Sequence, residues 1–119
     1  SIRMSYNVTG FALKKLDSFT LPYAALLEAT EGDVTIQNDV LTFDEFYPSY
    51  VEIVGTLDGD RLNVTHVHYS GEGSGTYWDT FAELLTQSTG TLKARIVWEG
   101  GDSVEVVTIE NGVIMREEL

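Results

Sequence analysis

The order of apolar and polar residues along the chain predicts two helices separated by short strands. Apolar residues at helical spacing predict helices over 21–29 and 78–88. Alternating apolar and polar residues predict strands at 6–16, 33–43, 51–57, 62–69, 92–98, 104–109 and 113–116. Because short turns join most of these strands, they are expected to pair antiparallel. The expected fold class is α+β, with a mainly antiparallel sheet and both helices packed on one face.

The second half of the chain resembles the first half when the two are aligned at a shift of 58 residues. The pair of leucines beginning at Leu26 then matches the pair beginning at Leu84, and Gly32 matches Gly90. This equal spacing from helix to glycine favours a duplicated αβββ unit. The alternative is chance, because two amphipathic helices followed by valine-rich strands share letters without common ancestry.

The length of 119 residues predicts a single domain over 1–119 with its own hydrophobic core. Within it we expect a β-αβββ-αβββ internal repeat, with copies at about 18–69 and 76–119 and a glycine-rich connection at 70–75. The expected core consists of Leu26, Leu27, Val34, Ile53, Leu57, Leu62, Leu84, Leu85, Leu92, Val106 and Ile109.

The charge balance restricts the classes of partner. Seven basic residues face 19 acidic ones, for a net charge of −12, which disfavours nucleic acid and anionic membranes. High solubility, adaptation to salt and a surface for a basic protein partner each account for this excess of acids. The chain has no cysteine, so thiol chemistry is excluded. No cofactor is expected, and a cytoplasmic location is the expectation because no apolar run is long enough to span a membrane.

An aromatic and acidic segment at 43–50 separates two predicted strands. It holds Phe43, Phe46, Tyr47 and Tyr50, and it is longer than the matching connection in the second half. Exposed aromatic residues on a loop are typical of interface anchors, so these four residues are the predicted partner-binding residues and a homodimer is expected. The alternative is that the segment folds back over an open end of the core.

His66 and His68 are the two histidines, and their spacing places both on one face of a strand. A two-residue turn would set His66 opposite Val51, and a three-residue turn would set it opposite Glu52. The apolar pattern favours the first register, in which the nearest carboxylate points away. Because no third ligand is evident, we expect no metal.

Two functional hypotheses remain. The preferred one is a small acidic interaction protein without catalytic residues, of which an immunity-type or inhibitor-type binder of a basic partner is the most concrete version. The alternative is a small-molecule-binding module or enzyme with a cleft near His66, His68 and Tyr69. Motifs for nucleophilic catalysis are absent from the sequence, so no catalytic residue is assigned.

Overall fold

The computed structural model describes residues 7–44, 50–72, 76–98 and 104–118. Their elements are β1 (Asn7–Pro22), α1 (Tyr23–Ala29), β2 (Thr35–Gln37), β3 (Val40–Phe43), β4 (Tyr50–Asp58), β5 (Arg61–Glu72), α2 (Thr76–Leu85), β6 (Thr89–Trp98), β7 (Val104–Glu110) and β8 (Val113–Glu118). The eight strands form one antiparallel sheet in the order β2-β3-β4-β5-β1-β6-β7-β8. The predicted α+β class with an antiparallel sheet is therefore confirmed.

Two-residue turns set the register of three hairpins. Asn111-Gly112 joins β7 to β8, between the strands predicted at 104–109 and 113–116. Gly59-Asp60 joins β4 to β5, one residue later than the Asp58-Gly59 turn of the favoured predicted register. The third turn was missed: 33–43 is not one strand but the hairpin of β2 and β3, which turns at Asn38-Asp39. Both residues of this turn have positive φ, 51° and 65°. Asn and Asp tolerate that conformation better than most residues, and it matches the twist of the paired strands.

The first helix begins two residues later than predicted because β1 continues to Pro22. Pro22 has extended backbone angles and precedes the helix without a side-chain cap hydrogen bond. Ser18 and Thr20, which precede the helix and are of residue types that often cap helices, therefore do not cap this one. The hydroxyl of Thr20 instead lies 2.5 Å from that of Thr89 and accepts a hydrogen bond from Arg61 Nε at 2.7 Å.

Both helices contact the same face of the sheet. Tyr23 of α1 packs edge-on against Phe43 of β3, with ring centroids 6.2 Å apart. Trp78 and Phe81 of α2 pack against Tyr69 of β5, at 5.5 and 4.8 Å. The strand registers place Phe43 and Tyr69 on one side of the sheet. We call this side the helix face and the opposite side the open face.

Most of the predicted core residues are buried or partly buried on the helix face, and two are not as expected. Leu57 is 42% exposed, because it lies near the end of β4. Val106 is half-buried on the open face, and its neighbour Val107 is in the core. The sequence pattern missed the contribution of aromatic residues, since Phe19, Phe43, Tyr69, Trp78 and Phe81 are all buried.

The structure does not confirm the internal repeat. Four strands follow α1, whereas three follow α2. The aligned glycines have different surroundings: a side chain at Gly32 would meet open space, whereas one at Gly90 would meet the backbone of Ser18. Val34 lies outside any strand, but its counterpart Leu92 is fully buried in β6. The equal helix-to-glycine spacing therefore does not correspond to equivalent positions in the sheet.

The helices are short relative to the thickness of a bilayer. Neither α1 nor α2, in the part of the chain that the structure describes, is long and apolar enough to cross a membrane.

Candidate functional site

A bulge in the β4–β5 hairpin decides which residues meet on the open face. The pairs next to the turn are regular up to Gly55 and Val64, but the next pair is Val54 with His66, so Thr65 is an additional residue in β5. The hydroxyl of Thr65 donates a hydrogen bond to the Val54 carbonyl at 3.2 Å. Next to the bulge, the backbone of Asn63 comes very close to Gly55. Only glycine fits there, because a side chain at residue 55 would overlap the backbone carbonyl of Asn63.

The bulge brings Glu52 to His66. Glu52 is directly opposite His68 and diagonal to His66, and all three residues are on the open face. Nε2 of His66 lies 3.1 Å from Oε1 of Glu52, within hydrogen-bonding distance. Both predicted registers are therefore wrong at His66, and the expectation that the nearest carboxylate points away from it is also wrong.

The pair formed by His66 and Glu52 is open to solvent. The side chains are 50% and 35% exposed, so their contribution to stability is expected to be about 1 kcal/mol or less. A carboxylate that binds one imidazole nitrogen can fix the orientation of the ring and leave the other nitrogen to exchange protons. Proton transfer to a substrate also requires a position for that substrate within hydrogen-bonding reach of the ring.

The same cluster resembles part of a metal site but does not complete one. Two imidazoles and a carboxylate would suit zinc if all three converged on one point. Among the described residues, however, there is no group of three or more histidine, cysteine or acidic side chains placed to hold a metal ion. The absence of a metal remains a prediction.

That prediction is tested by chelation. Adding a chelator to the purified protein should leave its melting temperature unchanged, since no complete set of metal ligands holds the fold together. Differential scanning calorimetry before and after chelation measures this. A lower melting temperature that zinc restores would contradict the prediction and place a structural metal in the protein.

Tyr69 is separated from the two histidines by the sheet itself. Its side chain is fully buried on the helix face and is stacked on Phe81 with an interplanar angle of 20°. His66 and His68 lie on the open face. The proposed cleft lined by His66, His68 and Tyr69 therefore does not form around these three side chains.

The predicted aromatic contact segment is described only at its ends. Phe43 is fully buried, because it lies opposite Ile53 on the helix face and packs against Tyr23. It is a core residue in the monomer, contrary to its expected role at a partner surface. Tyr50 is the first residue of β4 and pairs with Ser70. Phe46 and Tyr47 lie outside the described residues, so their role remains a prediction.

A different surface, missed by the sequence prediction, lies on the open face over β6, β7 and β8. Lys93 and Arg95 alternate with core residues of β6 and therefore lie on this face. Within the described ranges neither side chain has a hydrogen-bonding or ionic partner, and Nε of Arg95 is buried without one. By contrast, Arg61 donates to Thr20 and Gln87, and Arg116 donates to Glu105.

Apolar side chains continue this surface across the open face. Val104 and Val106 of β7 are half-buried there, and Val113 and Met115 of β8 are 60% and 49% exposed. Near the opposite edge of the sheet, Val40 of β3 also lies on the open face and is 37% exposed. The alternation of Val106 and Thr108 with the buried Val107 and Ile109 was the sequence signal for this face, but Val106 was predicted to lie in the core together with Ile109.

Comparisons with known proteins give no functional assignment. A scan against protein-family models and searches of curated proteins and of solved structures found no significant match to this chain.

Proposed function

We propose that this chain is a non-catalytic interaction protein that associates with a second copy of itself through the open face of the sheet. The observation that carries the proposal is the set of apolar side chains on that face. An antiparallel sheet with one face in water normally presents polar residues there. Here the open face includes Val40, Val54, Val104, Val106, Val113 and Met115.

Contiguous exposed apolar surface, here that of Val104, Val106, Val113 and Met115 on the adjacent strands β7 and β8, supports a protein interface more than it supports a catalytic site. Small-molecule sites are usually concave and combine several convergent polar groups. The polar pair of His66 and Glu52 lies on the open face of β4 and β5, where it is exposed to solvent. Tyr69 lies on the opposite face of the sheet, so it does not converge with this pair. The geometry therefore favours an interaction protein over the ligand-binding alternative.

Charge also affects how such a dimer behaves. Each chain carries a net charge of −12, so two copies repel each other at low ionic strength. This repulsion extends over roughly a Debye length, about 10 Å at 0.1 M salt. Self-association is therefore expected to tighten as salt is added. The same acidic surface supports a basic protein as a further partner, but no described contact identifies one.

The proposal is tested by measuring the molecular mass in solution by sedimentation velocity at several salt concentrations. We expect a dimer that strengthens with salt. Replacing Val113 with Thr and Met115 with Ser should weaken it by about tenfold or more, the effect of losing roughly 1.4 kcal/mol of contact free energy.

Ile36→Thr is the matched control, because Ile36 is equally exposed at 61% but lies on β2 at the opposite edge of the sheet. Its dimer should be as strong as that of the unmodified protein. A protein that is monomeric at every salt concentration would show that the proposal is wrong.

A further inference from the structure

Arg95 of β6 and Glu117 of β8 lie in register on the open face. Val106 of β7 pairs with Arg95 on one side and with Glu117 on the other. These three residues therefore form one row across the strands, with neighbouring strands about 4.8 Å apart. Within one chain Arg95 and Glu117 are not bonded to each other, and Val106 lies between them.

Both ends of this row lack a partner. Among the described residues, Glu117 has no ion pair or hydrogen bond, and Arg95 has none either although its Nε is shielded from solvent. A buried donor without an acceptor is unfavourable by about 1–3 kcal/mol. The chain contains 19 acidic residues, so the missing acceptor is not explained by a shortage of carboxylates. An acceptor from another molecule would satisfy it.

We propose that the second copy supplies this acceptor: the two open faces pack together, and Arg95 of each copy binds Glu117 of the other. The inference rests on the proposed self-association. A twofold axis parallel to β7 and above Val106 exchanges the two ends of the row. It places each Arg95 over a Glu117 and brings the two copies of Val106 together at the centre. Face-to-face sheets with aligned strands pack about 10 Å apart, which these side chains can bridge.

The neighbouring row agrees with this arrangement. Thr108 pairs with Lys93 on one side and Met115 on the other. The same axis sets the long aliphatic part of Lys93 over the apolar side chain of Met115 of the second copy. Such an interface is isologous, because the same patch is used by both copies.

A charge exchange tests the pairing. The variants Arg95→Glu and Glu117→Arg each place like charges at both ends of the row. Because like-charge contacts cost several kcal/mol, the dimer dissociation constant of each variant alone should rise by about a hundredfold or more. An equimolar mixture should recover it, because the exchanged charges are complementary in the heterodimer. Native mass spectrometry identifies the heterodimer by its mass.

The mixture of Arg95→Glu with Glu28→Arg is the matched control. Glu28 is exposed on α1, so this mixture carries the same net charges as the first one but places the new arginine away from the proposed contact. Its heterodimer should form much less than that of the first mixture, because the glutamate introduced at position 95 still faces Glu117 of the other copy, whereas Glu28→Arg by itself should still self-associate. Circular dichroism confirms that each variant is folded. If Arg95→Glu does not fold, a double-mutant cycle with Arg95→Met and Glu117→Gln replaces it, and the dimerisation free energies should then be coupled.

The outcomes separate this inference from the proposed function. If the unmodified protein is a monomer, both are wrong. If the unmodified protein is a dimer and the single variants associate as strongly as it does, the pairing of Arg95 with Glu117 is wrong and self-association stands. The same conclusion follows if the single variants are monomers and their mixture does not form the heterodimer. The open face over β6, β7 and β8 would then be left for a different partner.

Discussion

Replacing Phe43 with alanine is expected to lower the free energy of unfolding by about 3–5 kcal/mol, the range for a large aromatic side chain removed from a core. The ring is fully buried and packs against Tyr23. Equilibrium unfolding in urea measures the change. Ile36→Ala is the control, because that side chain is 61% exposed and should change the stability by less than about 1 kcal/mol.

This experiment distinguishes the two roles considered for Phe43. A core residue affects the stability of the monomer, whereas a contact residue affects association with little change in stability. A loss below about 1 kcal/mol together with weaker self-association would contradict the burial of Phe43 and return it to the partner surface.

Replacing Gly90 with alanine is expected to destabilise the protein by about 2–5 kcal/mol, the sum of left-handed backbone strain and overpacking. Gly90 has a φ of 81°, and a Cβ atom there would overlap the carbonyl of Ser18 and lie 2.7 Å from that of Asp17. The carbonyl of Gly90 accepts a hydrogen bond from the backbone N–H of Asn111, and the N–H of Gly90 donates one to Oδ1 of Asn111, both at 2.9 Å. The backbone at Gly90 therefore has little room to move.

Gly32→Ala separates the two contributions. Gly32 has the same φ of 81°, but a side chain there would meet nothing within 4 Å. Its replacement should cost only the strain, about 1–2 kcal/mol. Urea denaturation of both variants gives the comparison. Equal losses at the two glycines would show that the close approach of Ser18 to Gly90 does not occur.

The residues at the hairpin turns explain why one turn of the fold was predicted from the sequence and another was missed. Asn111-Gly112 is a strong hairpin signal because glycine adopts positive φ without strain, and its turn was predicted correctly. Asn38-Asp39 makes an equivalent turn without glycine, so the signal is weaker and the residues around it read as one strand. The helices were predicted because their apolar residues recur at the spacing of a helix.

The candidate contacts were harder to predict because a single bulge changes them. The additional Thr65 shifts the register after Gly55, and this brings Glu52 to His66. A glycine in a strand indicates a bulge only in general terms and does not say which partner residue is left unpaired. The row of Arg95, Val106 and Glu117 depends on the registers of three strands, which a hydrophobic pattern alone does not fix.

The central position of β1 has a consequence for the order of folding. This strand is synthesised before the other seven strands described, yet it pairs with β6 through contacts as distant in sequence as Val8 with Trp98. A growing chain that ends at Glu72 can form β1 with β5, but the other edge of β1 stays open until β6 is made. Pairing over such long separations slows folding, and an unpaired strand edge invites contact with other chains. The newly made protein is therefore most vulnerable to aggregation in the interval between the synthesis of β5 and that of β6.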